Sequence, residues 1–371
     1  MRVVLTGGGT GGHIYPAIAI GRDLQKKLPG VEIMYIGTSK GLEADIVPKE
    51  GLSFRTIEVE SLPRTISLKT LRTGYKLFQG FWGAGKLLRQ FRPQLVIGTG
   101  GYVCGPVVLT AALMGIPAVI HEQNALPGIT NKMLARFVKV VLATFPESKK
   151  YFPDTATVEV TGLPIRPGII SVSREQGARA FGLDSTKFTI LVTGGSRGAR
   201  SINMAMVDVL GRLVKRQDIQ IIMATGTATY EEFLTKVREK GLDLTGVHNI
   251  IIKPYLYQME EALAAADLCI CRAGAAFLSE LLAKGKPSIL IPYPFAAENH
   301  QEYNARAVAQ KGAAVAILDK ELTGEKLWGE LERLLASPPD LQGMAQAAKE
   351  MGKPEALANI TSVIMGIIKQ K

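Results

Sequence analysis

The stretch VLTGGGTGG at residues 4–12 returns in altered form as LVTGGSRGA at residues 191–199. Each copy runs a short apolar segment into a glycine-rich turn followed by a helix-length segment. A buried parallel strand hands over to a helix in this way, and the first helical amides then face an anion. Short β-branched runs alternate with helix-length segments on either side of the repeat: 2–6, 31–37, 95–98, 118–121 and 138–143, then 188–193, 219–224, 249–253, 267–271 and 288–292. That alternation predicts βαβ units and parallel sheets. A chain of 371 residues also exceeds one hydrophobic core. The segment TGLPIRPGI, 161–169, carries two prolines and two glycines and reads as a hinge. The expectation is an α/β protein of two Rossmann-like, doubly wound domains facing each other across a cleft, 1–163 and 164–340. The last segment, 341–371, has helical spacing without a strand and is expected to pack back on the first domain.

The first turn, TGGGTGGH, formally contains the dinucleotide fingerprint G-x-G-x-x-G. A nicotinamide site needs an acid at the end of the second strand to hold the ribose. Here that strand ends in Gly37, Thr38, Ser39 and Lys40, and Glu43 comes late. Neither turn ends in the Gly-Lys-Ser/Thr of a Walker loop. Phosphate-friendly turns in two domains remain.

Charge narrows the partner. Of the net +11, most lies in the first half, which has 19 basic against 11 acidic residues up to position 160, and no acid occurs from 61 through 121. Such an excess implies an anionic partner: nucleic acid, a membrane surface or a phosphorylated substrate. The uncharged run 93–120 is punctuated by glycines and three prolines, which favours strand, loop and short helix over a membrane span. Three cysteines without a C-x-x-C and four scattered histidines support neither a disulfide frame nor a zinc site. The N-terminus lacks a signal-peptide pattern, so a cytoplasmic location is expected.

Six blocks in order, GGGTGGH, GTGGYVCGP, HEQN, GLPIR, TGGSRGA and RAGAAFLSELLAKGKPSILIPYPFAAENHQEYNA, span nearly the whole chain. Together they resemble the MurG-type family, the lipid-linked N-acetylglucosamine transferases of peptidoglycan synthesis. The resemblance implies the GT-B fold and transfer of N-acetylglucosamine, with inversion, from UDP-N-acetylglucosamine to the 4-hydroxyl of lipid I, giving lipid II at the inner membrane face. It implies a donor site in which Arg166, Ser196 and nearby Arg197 meet the diphosphate and Glu280 holds the ribose. Leu256 would contact uracil through its backbone, and His300, Gln301 and Asn124 would hold the sugar. Charge on the departing UDP is the main electrostatic demand of such chemistry. A carboxylate suits the ribose because it accepts from both hydroxyls of a diol.

The acceptor side falls to Thr10, Gly11, Gly12, His13, Gly101 and Tyr102. Inversion needs a base for the acceptor hydroxyl. His13 has a suitable ordinary pKa, with Glu122 as the rival, and His13 could equally orient the acceptor diphosphate. No D-x-D occurs, so no protein-held metal or other cofactor is expected. Leu71, Tyr75, Phe78 and Trp82 form a helical stripe among Lys69, Arg72, Lys76, Lys86 and Arg89, suited to an anionic lipid surface. The competing reading of that stripe is a crossover helix packed on its sheet. The competing functions are a UDP-sugar epimerase and a basic nucleic-acid module; the latter would leave the donor blocks unexplained, and no nucleic-acid partner is expected.

Overall fold

The computed structural model describes residues 1–60, 68–195 and 197–369, leaving aside the side chains of 68–75. Two compact units emerge: Met1–Pro164 with Glu355–Lys371, and Ile165–Pro354.

In the first unit β1 (Arg2–Thr6), β2 (Glu32–Gly37), β3 (Ser53–Thr56), β4 (Leu95–Gly98), β5 (Ala118–Glu122), β6 (Val140–Ala143) and β7 (Val158–Val160) form one parallel sheet in the order β3-β2-β1-β4-β5-β6-β7. The central strands are apolar on both faces because helices cover both, which is why they read as continuous hydrophobic runs. The strand order reverses between β1 and β4, where Thr6 lies opposite Gly98. A doubly wound sheet opens its ligand crevice at such a switch point, beyond the carboxyl ends of the strands.

The second unit repeats the plan with β8 (Phe188–Thr193), β9 (Ile219–Ala224), β10 (Ile250–Lys253), β11 (Leu268–Cys271), β12 (Ser288–Leu290) and β13 (Ala314–Ala316), all parallel, in the order β10-β9-β8-β11-β12-β13. Its switch point lies between β8 and β11. Three strands escaped the sequence reading: β3, β7 and β13. All are edge strands of three or four residues, and none is buried along its whole length.

The return to the first unit begins at Glu355, not at 341. The helix Pro338–Met351 stays with the second unit, burying Met344 in its core, and Gly352 packs against the Leu282 carbonyl so closely that a Cβ would lie 2.5 Å from it. Only the helix Ala356–Lys369 docks on the first unit, inserting Ile360 and Ile364 into the core beside Ile14 and Leu24 and bonding Thr361 Oγ1 to Asp23 Oδ2 at 2.8 Å. Its neighbours Ile367 and Ile368 add partly buried apolar surface to the same core. Cys104, Cys269 and Cys271 are buried free thiols, and burial pushes Cys104 and Cys269 up to about 12. Among the described residues, no helix is long and apolar enough to cross a membrane.

Candidate active site

At the first switch point three loops meet: the turn after β1, the turn after β2 and the turn after β4. Gly101, at φ +84°, passes so close to the first turn that a Cβ would stand 2.3 Å from the Gly8 carbonyl, so only glycine fits. Gly8 N donates to Gly100 O at 3.2 Å, closing the two turns on each other. Thr10, exposed and extended, precedes the helix Gly11–Lys27 and accepts through its carbonyl from the His13 and Ile14 amides. Gly11 and Gly12 supply the first amides of that helix, which have no partner within it.

Glu43 does not face the ribose of a nucleotide. It is fully buried: Oε2 accepts from Gly9 N at 3.2 Å, and Oε1 from Thr38 N at 3.1 Å and Thr38 Oγ1 at 2.7 Å. This late acid ties the turn after β2 to the glycine turn after β1. The Tyr102 ring packs over Gly9, and its hydroxyl lies 3.3 Å from Thr38 Oγ1, so the third loop joins the same cluster.

The HEQN block ends β5. His121, Glu122 and Gln123 are all buried. Glu122 accepts from Asn124 N (2.9 Å) and Asn124 Nδ2 (3.3 Å) on one oxygen, and from Asn131 Nδ2 (2.8 Å) and Gly128 N (3.2 Å) on the other. Burial raises its pKa, and those four N–H groups oppose the rise. Asn124 is half-buried in the loop that the carboxylate organises. Burial holds the His121 imidazole down to about 4, so it is neutral at physiological pH. His13, half-buried, places Nδ1 2.9 Å from Thr99 O and 3.0 Å from Gln123 Oε1.

In the second unit the turn after β8 is equally crowded. Gly198, at φ +76°, would put a Cβ 2.1 Å from Thr225 O. Ser196 lies outside the described residues, and Arg197 beside it is exposed. Glu280 sits in the helix Ala275–Lys284 and is only 6% exposed, so it does not belong to a solvated helix face. Arg166 meets it as a fork, Nε to Oε1 at 2.7 Å and Nη2 to Oε2 at 2.6 Å, with Glu260 3.5 Å from Nη1.

Leu256 is buried. Gln301 Oε1 accepts from Tyr293 N at 2.9 Å, and His300 Nδ1 donates to Ala297 O at 2.8 Å. Burial lowers the His300 pKa, consistent with a neutral ring that donates through Nδ1. Just before them Glu298 and Asn299 both adopt positive φ, a costly conformation for residues with side chains. Sequence reasoning did not single out Arg272, which donates to Ile291 O and Pro292 O at 3.2 Å each and to Ser201 Oγ at 2.9 Å, and pairs with Asp319. It pins the loops after β11 and β12 to the helix that follows the glycine turn.

The basic segment forms the helix Leu68–Phe91. The side chains of Leu71 and Tyr75 lie outside the described residues. Phe78 and Trp82, one turn apart, are 69% and 67% exposed. The opposite face buries Ala84 and Leu88, and Gly80 and Gly83 let the helix approach Val59 and Ile57. The glycines therefore mark the packed face, and the two aromatics point away from it.

Two parallel-sheet α/β units, each with a glycine turn at its switch point, give the chain the GT-B fold. Residues 3–143 match the glycosyltransferase family 28 N-terminal domain and residues 189–360 the family 28 C-terminal domain. A UDP-N-acetylglucosamine–N-acetylmuramyl-(pentapeptide) pyrophosphoryl-undecaprenol N-acetylglucosamine transferase of Desulfitobacterium hafniense is 55% identical over 98% of this chain and 99% of its own. The protein of the same name from Desulforamulus reducens is 50% identical over the full length of both. The crystal structure of Acinetobacter baumannii MurG superposes with a TM-score of 0.79 at 28% identity, covering 98% of this chain and 99% of that one. The chain belongs to this MurG family of N-acetylglucosamine transferases. A UDP-N-acetylglucosamine 2-epimerase from Neisseria meningitidis matches with a TM-score of 0.68 at 14% identity over both full lengths, which shows a shared fold alone.

Proposed function

We propose that the chain transfers N-acetylglucosamine from UDP-N-acetylglucosamine, with inversion, to the 4-hydroxyl of the muramyl sugar of lipid I, forming lipid II for peptidoglycan synthesis. The observation that carries this reading is the 55% identity over 98% of the chain to a relative bearing that activity in its name.

The acceptor oxygen attacks the anomeric carbon of the donor, the bond to UDP breaks, and the hydroxyl proton passes to His13. His13 is preferred to Glu122 as the base because both Glu122 oxygens already accept from N–H groups of their own loop. Negative charge gathering on UDP is met by Arg166, Ser196 and the amides of the turn after β8. Such groups supply electrostatic stabilisation without a metal, and no cofactor is invoked. Glu280 takes the ribose, Leu256 the uracil through its backbone, and Asn124, His300 and Gln301 the sugar. Thr10, Gly11, Gly12, Gly101 and Tyr102 receive the lipid I diphosphate and sugar.

The enzyme works on the inner face of the cell membrane, with Phe78 and Trp82 entering the lipid interface and the neighbouring lysines and arginines meeting anionic headgroups. UDP release from UDP-N-acetylglucosamine, measured with and without a short-chain lipid I analogue, tests the reaction. Acceptor-dependent release with a new disaccharide supports it; acceptor-independent formation of N-acetylmannosamine overturns it in favour of epimerisation.

A further inference from the structure

Two buried side chains at the end of β5, His121 and Gln123, and one at the first glycine turn, His13, form a single hydrogen-bonded line. Donor and acceptor roles along it are fixed by backbone carbonyls, which can only accept. At the far end His121 Nε2 lies 2.9 Å from Gly162 O, so that nitrogen carries a proton. Gln123 Nε2 lies 2.7 Å from Thr99 O and 3.1 Å from His121 O. Two carbonyls at one end of an amide require the NH2 there; the flipped amide would set its oxygen against both. The same NH2 is 3.1 Å from His121 Nδ1, which accepts, as the neutral ring requires. Gln123 Oε1 is thereby turned toward His13, 3.0 Å from Nδ1, and Thr99 O stands 2.9 Å from that same nitrogen. Facing two acceptors, Nδ1 of His13 must carry the hydrogen. Gly100 keeps the place beside the ring open, since a Cβ there would lie 2.7 Å from Nδ1.

We propose that Gln123, oriented by His121, is a positioning residue that holds the His13 imidazole as its Nδ1–H tautomer and so puts the ring's lone pair on Nε2, the nitrogen that takes the acceptor proton. The catalytic half of this proposal rests on the reading of His13 as base; the tautomer does not. An imidazole free in water favours the opposite, Nε2–H form. A wall of acceptors around Nδ1 reverses that preference, and the partner of one ring nitrogen decides what the other can do. The line also explains why a glutamine and a histidine are buried where the sheet could have held apolar side chains. Each buried polar atom in it has a partner, and the whole serves one ring.

The test uses the full chain with 15N-labelled histidine. The four histidines are assigned by single His→Gln variants, and two-bond proton–nitrogen couplings report each tautomer at pH 8. The expected result is a single Nδ1–H form at His13, a measurable Nε2–H population in Gln123→Met, and turnover at least about tenfold lower in that variant with the donor Michaelis constant unchanged. An Nε2–H form in the unsubstituted protein overturns the proposal, as does an unchanged tautomer in Gln123→Met. The first of these needs no variant to fold. A shifted tautomer with normal turnover upholds Gln123 as the residue that sets the ring and overturns His13 as the base.

Discussion

Arg166 and Glu280 hold each other through two parallel hydrogen bonds of 2.7 and 2.6 Å, the guanidinium 41% and the carboxylate 8% exposed. These are the residues assigned to the donor diphosphate and the donor ribose, and here each is the other's partner. A carboxylate retains lone pairs after accepting two bonds, so Glu280 can take a ribose hydroxyl while Arg166 stays beside it. Glu280→Ala is expected to weaken UDP binding by roughly 1.5–3 kcal/mol, the usual loss for a charged hydrogen-bond partner. Calorimetry on the folded variant checks it. UDP affinity equal to that of the unsubstituted protein would leave the pair as a stability element only.

Arg166→Ala differs in kind, because it strands a buried carboxylate as well as removing a cation. Part of its effect should therefore appear as lost stability, about 1 kcal/mol or more even after discounting for the exposed guanidinium. The remainder should appear as lower turnover, since the charge that Arg166 meets grows as UDP leaves. The double variant with Glu280→Gln separates the two. Coupling seen in denaturant unfolding but absent from turnover would reduce Arg166 to a structural partner.

Glu43 makes a prediction that the sequence could not offer. Read along the chain it was an acid too late to hold a ribose; in the structure it is the post to which Gly9 and Thr38 are tied. Glu43→Ala leaves the Gly9 and Thr38 amides and the Thr38 hydroxyl without that acceptor, a cost of about 1–3 kcal/mol in stability. The glycine turn loosens with it. The Michaelis constant for a lipid I analogue should rise while UDP affinity, set in the other unit, holds. Equal losses on both substrates would mean that the variant disturbs more than this turn.

The strands that position the site were legible because burial on both faces leaves a largely apolar run: 2–6, 95–98, 188–193 and 219–224 match the observed strands residue for residue. Edge strands such as Val158–Val160 carry no such signal, since one flank and one face remain in water. Candidate site residues could be named where spelling fixes chemistry, as in the glycine turns. Those that act through a partner distant in sequence were missed. Gln123 is 110 positions from His13, and Glu43 is 34 from Gly9, so only folding reveals what they touch. For Arg166 and Glu280 the residues were named, but their pairing across 114 positions was not.

Phe78 and Trp82 cover none of the core, so replacing both with serine should leave the unfolding midpoint nearly unchanged. Sedimentation with anionic vesicles should show weaker binding, by roughly 1–2 kcal/mol for each aromatic removed from a lipid interface. Activity on a water-soluble acceptor should persist. Vesicle binding equal to that of the unsubstituted protein would move the membrane contact elsewhere on the basic face.

His121 gives the fold a pH dependence whose sign is fixed by its depressed pKa. Between 6.5 and about 4 the unfolded chain binds a proton at this position and the folded chain does not. Stability is therefore fully present above 6.5 and drains away as the pH falls toward 4, by about 3 kcal/mol in all. His121→Gln cannot titrate. Its stability deficit relative to the unsubstituted protein should shrink as the pH falls from 7 to 4.5, followed by urea unfolding at each pH. Parallel curves would show that His121 takes up its proton in the native state over the same pH range as in the unfolded chain.

The assignment of His13 as base separates chemistry from positioning. A base must be neutral to accept the 4-hydroxyl proton, so turnover should fall on the acid side as the ring protonates. His13→Gln should remove that acidic limb and lower turnover by roughly 10²–10⁴-fold, with donor affinity little changed. If the ring instead orients the lipid I diphosphate, the same substitution should raise the acceptor Michaelis constant and leave the acidic limb in place. Profiles from pH 5.5 to 9 with each substrate varied in turn distinguish the two. The half-buried ring is held by Thr99 and Gln123 at Nδ1, so glutamine can keep much of the local packing while supplying no basic nitrogen. Near-normal turnover at saturating acceptor would therefore rule out His13 as the base. The charge would then pass to Glu122, which could act only by surrendering its hydrogen bonds to Asn124, Gly128 and Asn131.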